Sequence, residues 1–155
     1  MSLQVKIIGS SHAGANVAYN LRRDGFEGDI EIISTESFPP YHRPPLSKDF
    51  LKGKTEKEKL AFKPEAFYAD NQITLTLDTE VLSIDRSAKT IETHQGNSAY
   101  DFLVLCTGSS PRRLNLDNAD LPEVLYLRDL QDAETIKAKL ADASHIALLG
   151  GGYIL

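Results

Sequence analysis

The chain has 155 residues, about one domain, and its 41% hydrophobic and 25% charged residues are ordinary for a globular protein. The net charge of −5 argues against a nucleic-acid or anionic-membrane surface, and no apolar run approaches the roughly 20 residues of a membrane-spanning helix. A single cysteine, Cys106, excludes an internal disulfide and a paired-cysteine redox motif. No charged and apolar leader precedes the first strand pattern, so we expect a cytoplasmic protein.

The first 36 residues predict a βαβ unit. An apolar run at residues 5–8 ends in Gly9, and apolar residues at helical spacing then continue to a stop signal at Gly25. A second apolar run, "DIEII", follows and ends shortly before Glu36. Because parallel neighbouring strands need a crossover such as this helix, the segment is expected to begin a parallel sheet.

The rest of the chain predicts short helices and strands. The proline-rich residues 39–44 lead into a short helix at 45–51, and Pro64 suits the first position of another helix. Short turns between successive strands predict an antiparallel β-meander, and a later helix precedes a last strand and a second glycine turn. The strands of the meander are "ITLTL", "EVLSID", "KTIETH" and "DFLVL", the helix is "LQDAETIKAKLADA", and the last strand is "HIALL". The predicted class is α/β, with a βαβ start, a parallel sheet and an antiparallel meander.

The turn after the first strand carries a modified dinucleotide fingerprint, in which Gly9, Ser11 and Gly14 occupy the three glycine positions. Gly9 makes the turn, Gly14 lets the helix pack close to the strand, and the first N–H groups of the helix face a pyrophosphate. Ser11 narrows the phosphate's approach, although its hydroxyl can donate to phosphate. A plain strand–turn–helix also needs a glycine, so the turn alone leaves both interpretations open.

Glu36 favours the nucleotide interpretation. It lies 22 residues after Gly14, at the end of the second strand, where a carboxylate can accept from both ribose hydroxyls of an adenosine. The alternative is a loop acid that faces solvent, and within a βαβ unit we favour the ribose role. His12, inside the turn, is interpreted as a helix-entry residue rather than a catalytic base.

Together with later segments, these motifs resemble the amino-terminal part of FAD-dependent NAD(P)H:ferredoxin and rubredoxin reductases, in the pyridine nucleotide–disulfide oxidoreductase superfamily. The resemblance covers essentially the whole chain, and the Arg-Pro-Pro-Leu-Ser-Lys block at 43–48 is its most specific part. It implies a Rossmann-like FAD-binding domain, with its first segment at residues 1–110 and a connection plus the start of a truncated NAD(P)H domain at 111–155. The other segments that carry it are "PYHRPPLSKDFL", "YDFLVLCTGSSPRRL", "LPEVLYLRDLQDAETIKAKL" and "ALLGGGYIL".

The resemblance implies a set of FAD contacts and no metal site. Arg43 and Pro44 would border the phosphate and ribityl side of the flavin, and a Lys48 cation near N5 would stabilise the negative charge of reduced flavin. Without the resemblance, Lys48 would be a solvated helix lysine and Arg128 a surface ion-pair partner. The implied cofactor-binding residues are Gly9, Ser11, His12, Ala13, Gly14, Thr35, Glu36, Arg43, Pro44, Lys48, the backbone of Val81, Thr107, Gly108 and Arg128.

The second glycine turn matches the start of an NAD(P)H-binding motif. Gly150 and Gly152 take its first two glycine positions, and the third falls on Leu155, where the family pattern has glycine. The family's helix that follows this motif and its later flavin-contacting segment would lie beyond these residues. We therefore expect an amino-terminal fragment of an enzyme that is not active alone.

The resemblance implies electron transfer from NAD(P)H through FAD to a ferredoxin- or rubredoxin-like carrier. Residues 43–48 hold no thiol where disulfide reductases of the superfamily carry a reactive cysteine, so no dithiol relay is expected. Alternatives are the same fold with oxygen or a quinone as acceptor, a non-catalytic dinucleotide-binding module, and an α/β domain that binds nothing. The "RPPLSK" and "CTGSSPRR" segments argue against the last. Unpaired sheet edges leave a homodimer open.

Overall fold

The structure, a computed structural model, describes residues 2–150 and divides into two compact units. Within the described residues, the first unit comprises 2–42 and 56–109, and the second comprises 43–55 and 110–150. Each unit is therefore built from two stretches of chain. The elements are β1 (Gln4–Ile8), α1 (His12–Arg23), β2 (Asp29–Ile33), α2 (Glu65–Asp70), β3 (Ile73–Thr76), β4 (Val81–Asp85), β5 (Thr90–Thr93), β6 (Gly96–Ala99), β7 (Phe102–Leu105) and α3 (Leu130–Asp142).

A four-stranded parallel sheet forms the centre of the first unit. Its strand order is β3-β2-β1-β7, so β1 has a neighbour on each side, and Val5 pairs with Ile30 of β2 and with Phe102 of β7. The crossover between β1 and β2 is α1, which ends at Arg23 and is followed by Gly25 with φ +87°. The predicted βαβ unit and its glycine stop signal are confirmed.

The core of the first unit involves one face of this sheet together with α1 and α2. Alternate residues of β1 and β2 point to the same face because the side-chain period of a strand is two. Burial also raises the pKa of Tyr68 on α2 to about 12, since a phenolate loses its hydration there. The buried cluster consists of Val5, Ile7, Ala18, Ile30, Ile32, Tyr68 and Ile73.

The predicted four-stranded meander is wrong in its strand membership. The antiparallel sheet has the order β4-β5-β6, whereas β3 and β7 join the parallel sheet beside β2 and β1. The third meander strand, β6, comes from a stretch that the sequence suggested was only a turn. Strand patterns and turn lengths identify extended segments, but the choice of partner depends on burial over long sequence separations. The α/β class with a parallel sheet and an antiparallel meander is nevertheless confirmed.

A polar ladder crosses three strands of the parallel sheet. Lys6 of β1 is only 7% exposed, and its ammonium group pairs with the carboxylate of Glu31 on β2. The hydroxyl of Thr76 on β3 donates to the other oxygen of that carboxylate at 2.5 Å. The pairing compensates the cost of burying the lysine charge. That cost would be ~3 kcal/mol or more for an unpaired ion.

The second unit consists of α3 and an irregular helical turn, Leu46–Phe50. Helix α3 begins with a capping box, in which the Asp129 side chain accepts from the Asp132 backbone and the Asp132 side chain accepts from the Asp129 backbone. The turn is kinked at Lys48, where φ is −126° and ψ is −106°. The Lys137 ammonium lies 5.2 Å from the centroid of the Phe50 ring, a cation–π contact between helix and turn.

Three local predictions differ from the structure. The short helix expected at 45–51 is the five-residue irregular turn, and Pro64 is the N-cap of α2 rather than its first helical residue. The predicted last strand, residues 145–149, is not a strand, because it pairs with no strand among the described residues and leaves Leu148 81% exposed.

None of the helices within residues 2–150 has the length and apolar character needed to cross a membrane.

Arg22 connects the end of α1 to the end of α2. Its guanidinium group donates to the carbonyls of Phe26 at 2.6 Å and Gly28 at 2.7 Å, both in the connection to β2. It also donates to the carbonyls of Asn71 at 2.8 Å and Gln72 at 2.7 Å, which follow α2. A single planar cation therefore satisfies four backbone acceptors that the two helix ends and the loop leave open.

We predict that Arg22→Met lowers the free energy of unfolding by about 2–3 kcal/mol, because charged hydrogen bonds are lost and carbonyls are left unsatisfied. Arg23→Met is the matched control, since Arg23 is exposed and pairs with Asp24 at 3.0 Å on the surface. The control should change stability by no more than about 0.5 kcal/mol. Urea unfolding followed by circular dichroism measures both, and equal midpoints for the two variants would contradict the assignment.

Candidate functional site

The turn between β1 and α1 is built by two glycines that backbone atoms crowd. Gly9 has φ +110°, and a Cβ there would lie 2.1 Å from the carbonyl oxygen of Cys106. A Cβ on Gly14, in the first turn of α1, would lie 2.0 Å from the carbonyl oxygen of Gly9. The sequence predicted that Gly9 makes the turn and that Gly14 lets the helix pack close to the strand. In the structure, Gly9 has a positive φ and Gly14 is in close contact with the backbone at the end of β1.

The start of α1 has the features of an anion-binding helix end. Ser11 is the N-cap in an extended conformation, its side chain makes no capping hydrogen bond, and no acidic residue lies in the first turn. His12 and Ala13 are exposed, whereas Gly14 is buried against the strand. The first N–H groups and the positive end of the helix dipole are therefore not neutralised by a carboxylate of that turn. A pyrophosphate fits such an end.

The chain after β7 comes directly beside the glycine turn. The Cys106 N–H donates to the Ile8 carbonyl at 2.7 Å, and the Thr107 nitrogen lies 3.3 Å from the position a Cβ on Gly9 would take. Gly108 has φ +71°, so the chain turns at once, and both Thr107 and Gly108 are exposed. The structure brings these two sequence-predicted residues to the first glycine turn. Partial burial raises the pKa of the Cys106 thiol, which disfavours a reactive thiolate there.

Glu36 is held just beyond β2 by hydrogen bonds to its backbone and its side chain. Its N–H donates to the Ser34 hydroxyl oxygen at 3.1 Å, and the same oxygen accepts from the Ser10 hydroxyl of the glycine turn at 2.7 Å. The Tyr41 hydroxyl donates to Oε2 of Glu36 at 2.5 Å. Ser10 and Ser34 are 3% and 6% exposed, so this polar network is largely buried. Thr35, also predicted as a contact residue, is exposed between Ser34 and Glu36.

Sequence reasoning missed the three residues that support Glu36: Ser10, Ser34 and Tyr41. A serine at the end of an apolar strand gives no sign of what it bonds to, because its partner comes from another strand. The aromatic residue within a proline-rich stretch was a usable signal, since a phenol buried in a loop generally needs an acceptor for its hydroxyl.

Val81 begins β4, and the segment just before it is tied to the same region. The Thr79 N–H donates to the Ser34 carbonyl at 2.8 Å, and the Asp78 N–H donates to the Glu36 carbonyl at 3.3 Å. Val81 itself is half-buried and pairs with Thr93 of β5. Val81, the predicted adenine contact, therefore lies two residues after Thr79, which is hydrogen-bonded to the strand end that carries Glu36.

Four predicted residues lie in the second unit. The Arg43 guanidinium donates to the Arg128 carbonyl at 3.1 Å, and the Arg128 N–H donates to the Asp132 carboxylate at 2.8 Å. Pro44 is exposed, and Lys48 is exposed at the kink of the Leu46–Phe50 turn. The unit thus brings Arg43 and Arg128 together and leaves the Lys48 ammonium in solvent.

The second glycine turn is described only at its first position. Gly150 has φ +108°, close to the +110° of Gly9, so both glycines that follow an apolar run have a positive φ. Gly152 and Leu155 lie outside the described residues. Within residues 2–150, no three His, Cys, Asp or Glu side chains are arranged to hold a metal ion.

A parallel sheet whose central strand runs into a crowded glycine turn, with a carboxylate after the neighbouring strand, defines a Rossmann-like α/β domain. The chain belongs to the pyridine nucleotide-disulphide oxidoreductase family, whose model matches residues 3–154.

Several proteins similar to this chain are named as reductases of rubredoxin, ferredoxin or putidaredoxin. The chain is 41% identical over 153 residues to rubredoxin-NAD(+) reductase of Pseudomonas putida. This alignment covers 98% of this chain and 40% of the relative. A ferredoxin reductase from Rhodopseudomonas palustris superposes with TM-score 0.85 at 41% identity, over 90% of this chain and 34% of that one. The covalent putidaredoxin reductase–putidaredoxin complex superposes with TM-score 0.81 at 38% identity, over 88% and 34%. The chain thus spans well under half the length of these proteins.

We predict that Gly14→Ala destabilises the chain by about 3 kcal/mol or more, because the new Cβ meets a backbone oxygen that cannot move without displacing β1 from α1. The direction of this change in stability is informative, because alanine in an ordinary helix position stabilises by about 1 kcal/mol relative to glycine.

Gly25→Ala is the control for this substitution, because Gly25 has φ +87° but no atom within 4 Å of its Cβ position. Its cost should be limited to the left-handed backbone conformation, about 1–2 kcal/mol. Thermal unfolding of both variants is the measurement. A Gly14→Ala protein as stable as the unaltered chain would show that α1 packs less closely than described.

Proposed function

We propose that this chain is the FAD-binding part of a flavoprotein oxidoreductase that passes electrons from NAD(P)H to a ferredoxin- or rubredoxin-like iron–sulfur carrier. The proposal rests on one observation. The Gly9 turn, Glu36 and Thr107 lie at the carboxyl ends of the parallel strands β1, β2 and β7, respectively. Ligands of open α/β sheets bind at the carboxyl ends of their strands. The names of relatives such as rubredoxin-NAD(+) reductase support the choice of carrier.

The first unit would hold the nucleotide part of FAD. The uncapped start of α1 suits the pyrophosphate, the Glu36 carboxylate suits the adenosine ribose, and the backbone of Val81 suits the adenine. The exposed turn after β7 suits the flavin side of the cofactor. We assign to these contacts Gly9, Ser11, His12, Ala13, Gly14, Thr35, Glu36, Val81, Thr107 and Gly108.

Further assignments follow the family resemblance and include three cationic side chains. We assign Arg43, Pro44 and Arg128 to the flavin and its phosphates, and Lys48 to the electrostatic stabilisation of negative charge on the flavin ring. When bound, FAD supplies the chemistry that turns a two-electron hydride donor into a source of single electrons. A dithiol relay needs two thiols, and Cys106 is the single cysteine of these 155 residues.

The remaining assignments belong to the same proposal. Residues 1–110 would be the first segment of the FAD domain, and residues 111–155 would connect it to an NAD(P)H domain that begins at Gly150 and Gly152. The parent enzyme would work in the cytoplasm. The carrier would be an iron–sulfur protein rather than oxygen or a quinone, in keeping with relatives named as ferredoxin and rubredoxin reductases.

The test measures FAD binding by the chain, using the quenching of flavin fluorescence as the signal. We expect saturable binding, and we expect Ser11→Asp to weaken it by at least about tenfold, because a carboxylate at the helix N-terminus occupies and repels the phosphate position. Aspartate is as good an N-cap as serine, so the thermal midpoint should be retained. The variant therefore separates a phosphate site from a merely structural turn.

Asn97→Asp is the charge-matched control, since Asn97 is exposed on β6 and the change adds the same negative charge. It should bind FAD as the unaltered chain does. The proposal fails if the unaltered chain does not bind FAD, or if Ser11→Asp binds as tightly as Asn97→Asp.

A further inference from the structure

The stem of the proline-rich loop is a small antiparallel ribbon within the first unit. The His42 N–H donates to the Leu60 carbonyl at 2.8 Å, and the Phe62 N–H donates to the Pro40 carbonyl at 2.9 Å. Between these bonds, Tyr41 forms a β-bridge with Ala61. We call residues 40–42 with 60–62 the loop ribbon.

One side of the loop ribbon presents Tyr41 to Glu36. Tyr41 is 2% exposed, and its ring packs edge-to-face on Phe38 with centroids 6.0 Å apart. Its hydroxyl donates to Oε2 of Glu36 at 2.5 Å, a length typical of a hydrogen bond to a charged carboxylate. A ring that is bridged, packed and buried in this way fixes the position of its hydroxyl, and so of the carboxylate oxygen that it bonds.

The neighbouring residues of the loop ribbon reach the start of α1. The Phe62 ring clusters edge-to-face with two imidazoles, its centroid 4.4 Å from that of His12 and 4.3 Å from that of His42. The two imidazole centroids are 5.6 Å apart. His12 is the first residue of α1. The ribbon therefore contacts both the helix end proposed for the pyrophosphate and the carboxylate proposed for the ribose.

We propose that Tyr41 is a positioning residue that presets the Glu36 carboxylate for the ribose of an adenine nucleotide. The inference rests on the proposed function of this site. A free glutamate side chain has several rotamers, and ordering it on binding costs affinity that a preset side chain does not lose. A carboxylate that Tyr41 holds in one place accepts from ribose hydroxyls without that ordering cost.

Ser34 and Ser10 complete the arrangement by restraining the backbone of Glu36. The Ser34 hydroxyl oxygen fixes the Glu36 backbone N–H at 3.1 Å and is itself bonded by Ser10 of the glycine turn at 2.7 Å. Glu36 is thus restrained at its backbone by the turn and at its carboxylate by the loop ribbon. The distance between the proposed ribose and phosphate contacts is set before any ligand arrives.

The test compares binding of ADP and 2′-deoxy-ADP by isothermal titration calorimetry. Tyr41→Phe keeps the ring and removes only the hydroxyl. We expect ADP affinity to fall by about 3- to 10-fold, the cost of ordering one long side chain. We also expect the preference for ADP over 2′-deoxy-ADP to shrink, because a mobile carboxylate recognises the ribose hydroxyl less well. Tyr19→Phe is the control, since Tyr19 is an α1 residue that is 42% exposed, and it should leave both affinities unchanged.

A merely structural role for Tyr41 is distinguished by repeating the change in a Glu36→Ala background. If Tyr41 acts through Glu36, Tyr41→Phe has no further effect on ADP affinity there. An equal loss in both backgrounds, or an unchanged ADP preference in Tyr41→Phe, overturns the positioning role while the proposed function stands.

If the unaltered chain binds FAD but not ADP, the positioning role is overturned while the proposed function stands; if it binds neither nucleotide, both are overturned. Thermal midpoints without ligand verify that each variant is folded. Ser34→Ala, which acts on Glu36 from the other side and leaves Tyr41 in place, should also reduce the preference for ADP. If Tyr41→Phe does not fold, an unreduced preference in Ser34→Ala overturns the inference.

Discussion

The steric contact of backbone with backbone at Gly9 is the constraint on which the rest of the first unit depends. The Cys106 carbonyl oxygen approaches Gly9 from β7, and the Gly9 carbonyl oxygen approaches Gly14 from β1. No side chain fits at either position, so the end of β1, the start of α1 and the end of β7 approach one another at backbone-to-backbone contact distance. The direction of the first helical N–H groups and the place of Thr107 follow from that contact, as does the proposed anion site.

Two polar networks in the first unit have different consequences. The ladder of Lys6, Glu31 and Thr76 joins three parallel strands, and its buried ammonium is paired with a partly buried carboxylate. The network from Ser10 through Ser34 reaches Glu36, whose carboxylate is only half-buried. The first network holds three strands together, whereas the second fixes the backbone of a residue that lies just beyond its strand.

The sequence predicted the local elements and the glycine turn because their signals lie within a few residues of each other. The period of apolar residues located α1, α3 and most strands, and the spacing of Gly9 and Gly14 indicated their steric roles. Partner choice was not predictable in the same way, since β3 and β7 look like meander strands until their parallel neighbours are known. Ser10 and Ser34 were missed for that reason, because the hydrogen bond between them joins two strand ends that are 24 residues apart. Tyr41 is only five residues from Glu36, but its placement depends on the bridge that it forms with Ala61. An apolar run alone also did not make residues 145–149 a strand, because a strand needs a partner.

The central position of β1 has a consequence for how the chain is made. Gln4, at the start of β1, donates its N–H to Asp101, 97 residues further along, just before β7. On a ribosome that adds about 5–20 residues per second, β1 therefore exists for roughly 5–20 seconds before its second neighbour has been synthesised. During that time β1 and β2 can pair through α1, but one edge of β1 stays open and the Cys106 carbonyl has not yet reached Gly9. The nascent chain thus passes through a period in which an apolar strand edge is exposed, and such edges are where chains associate with one another or with chaperones.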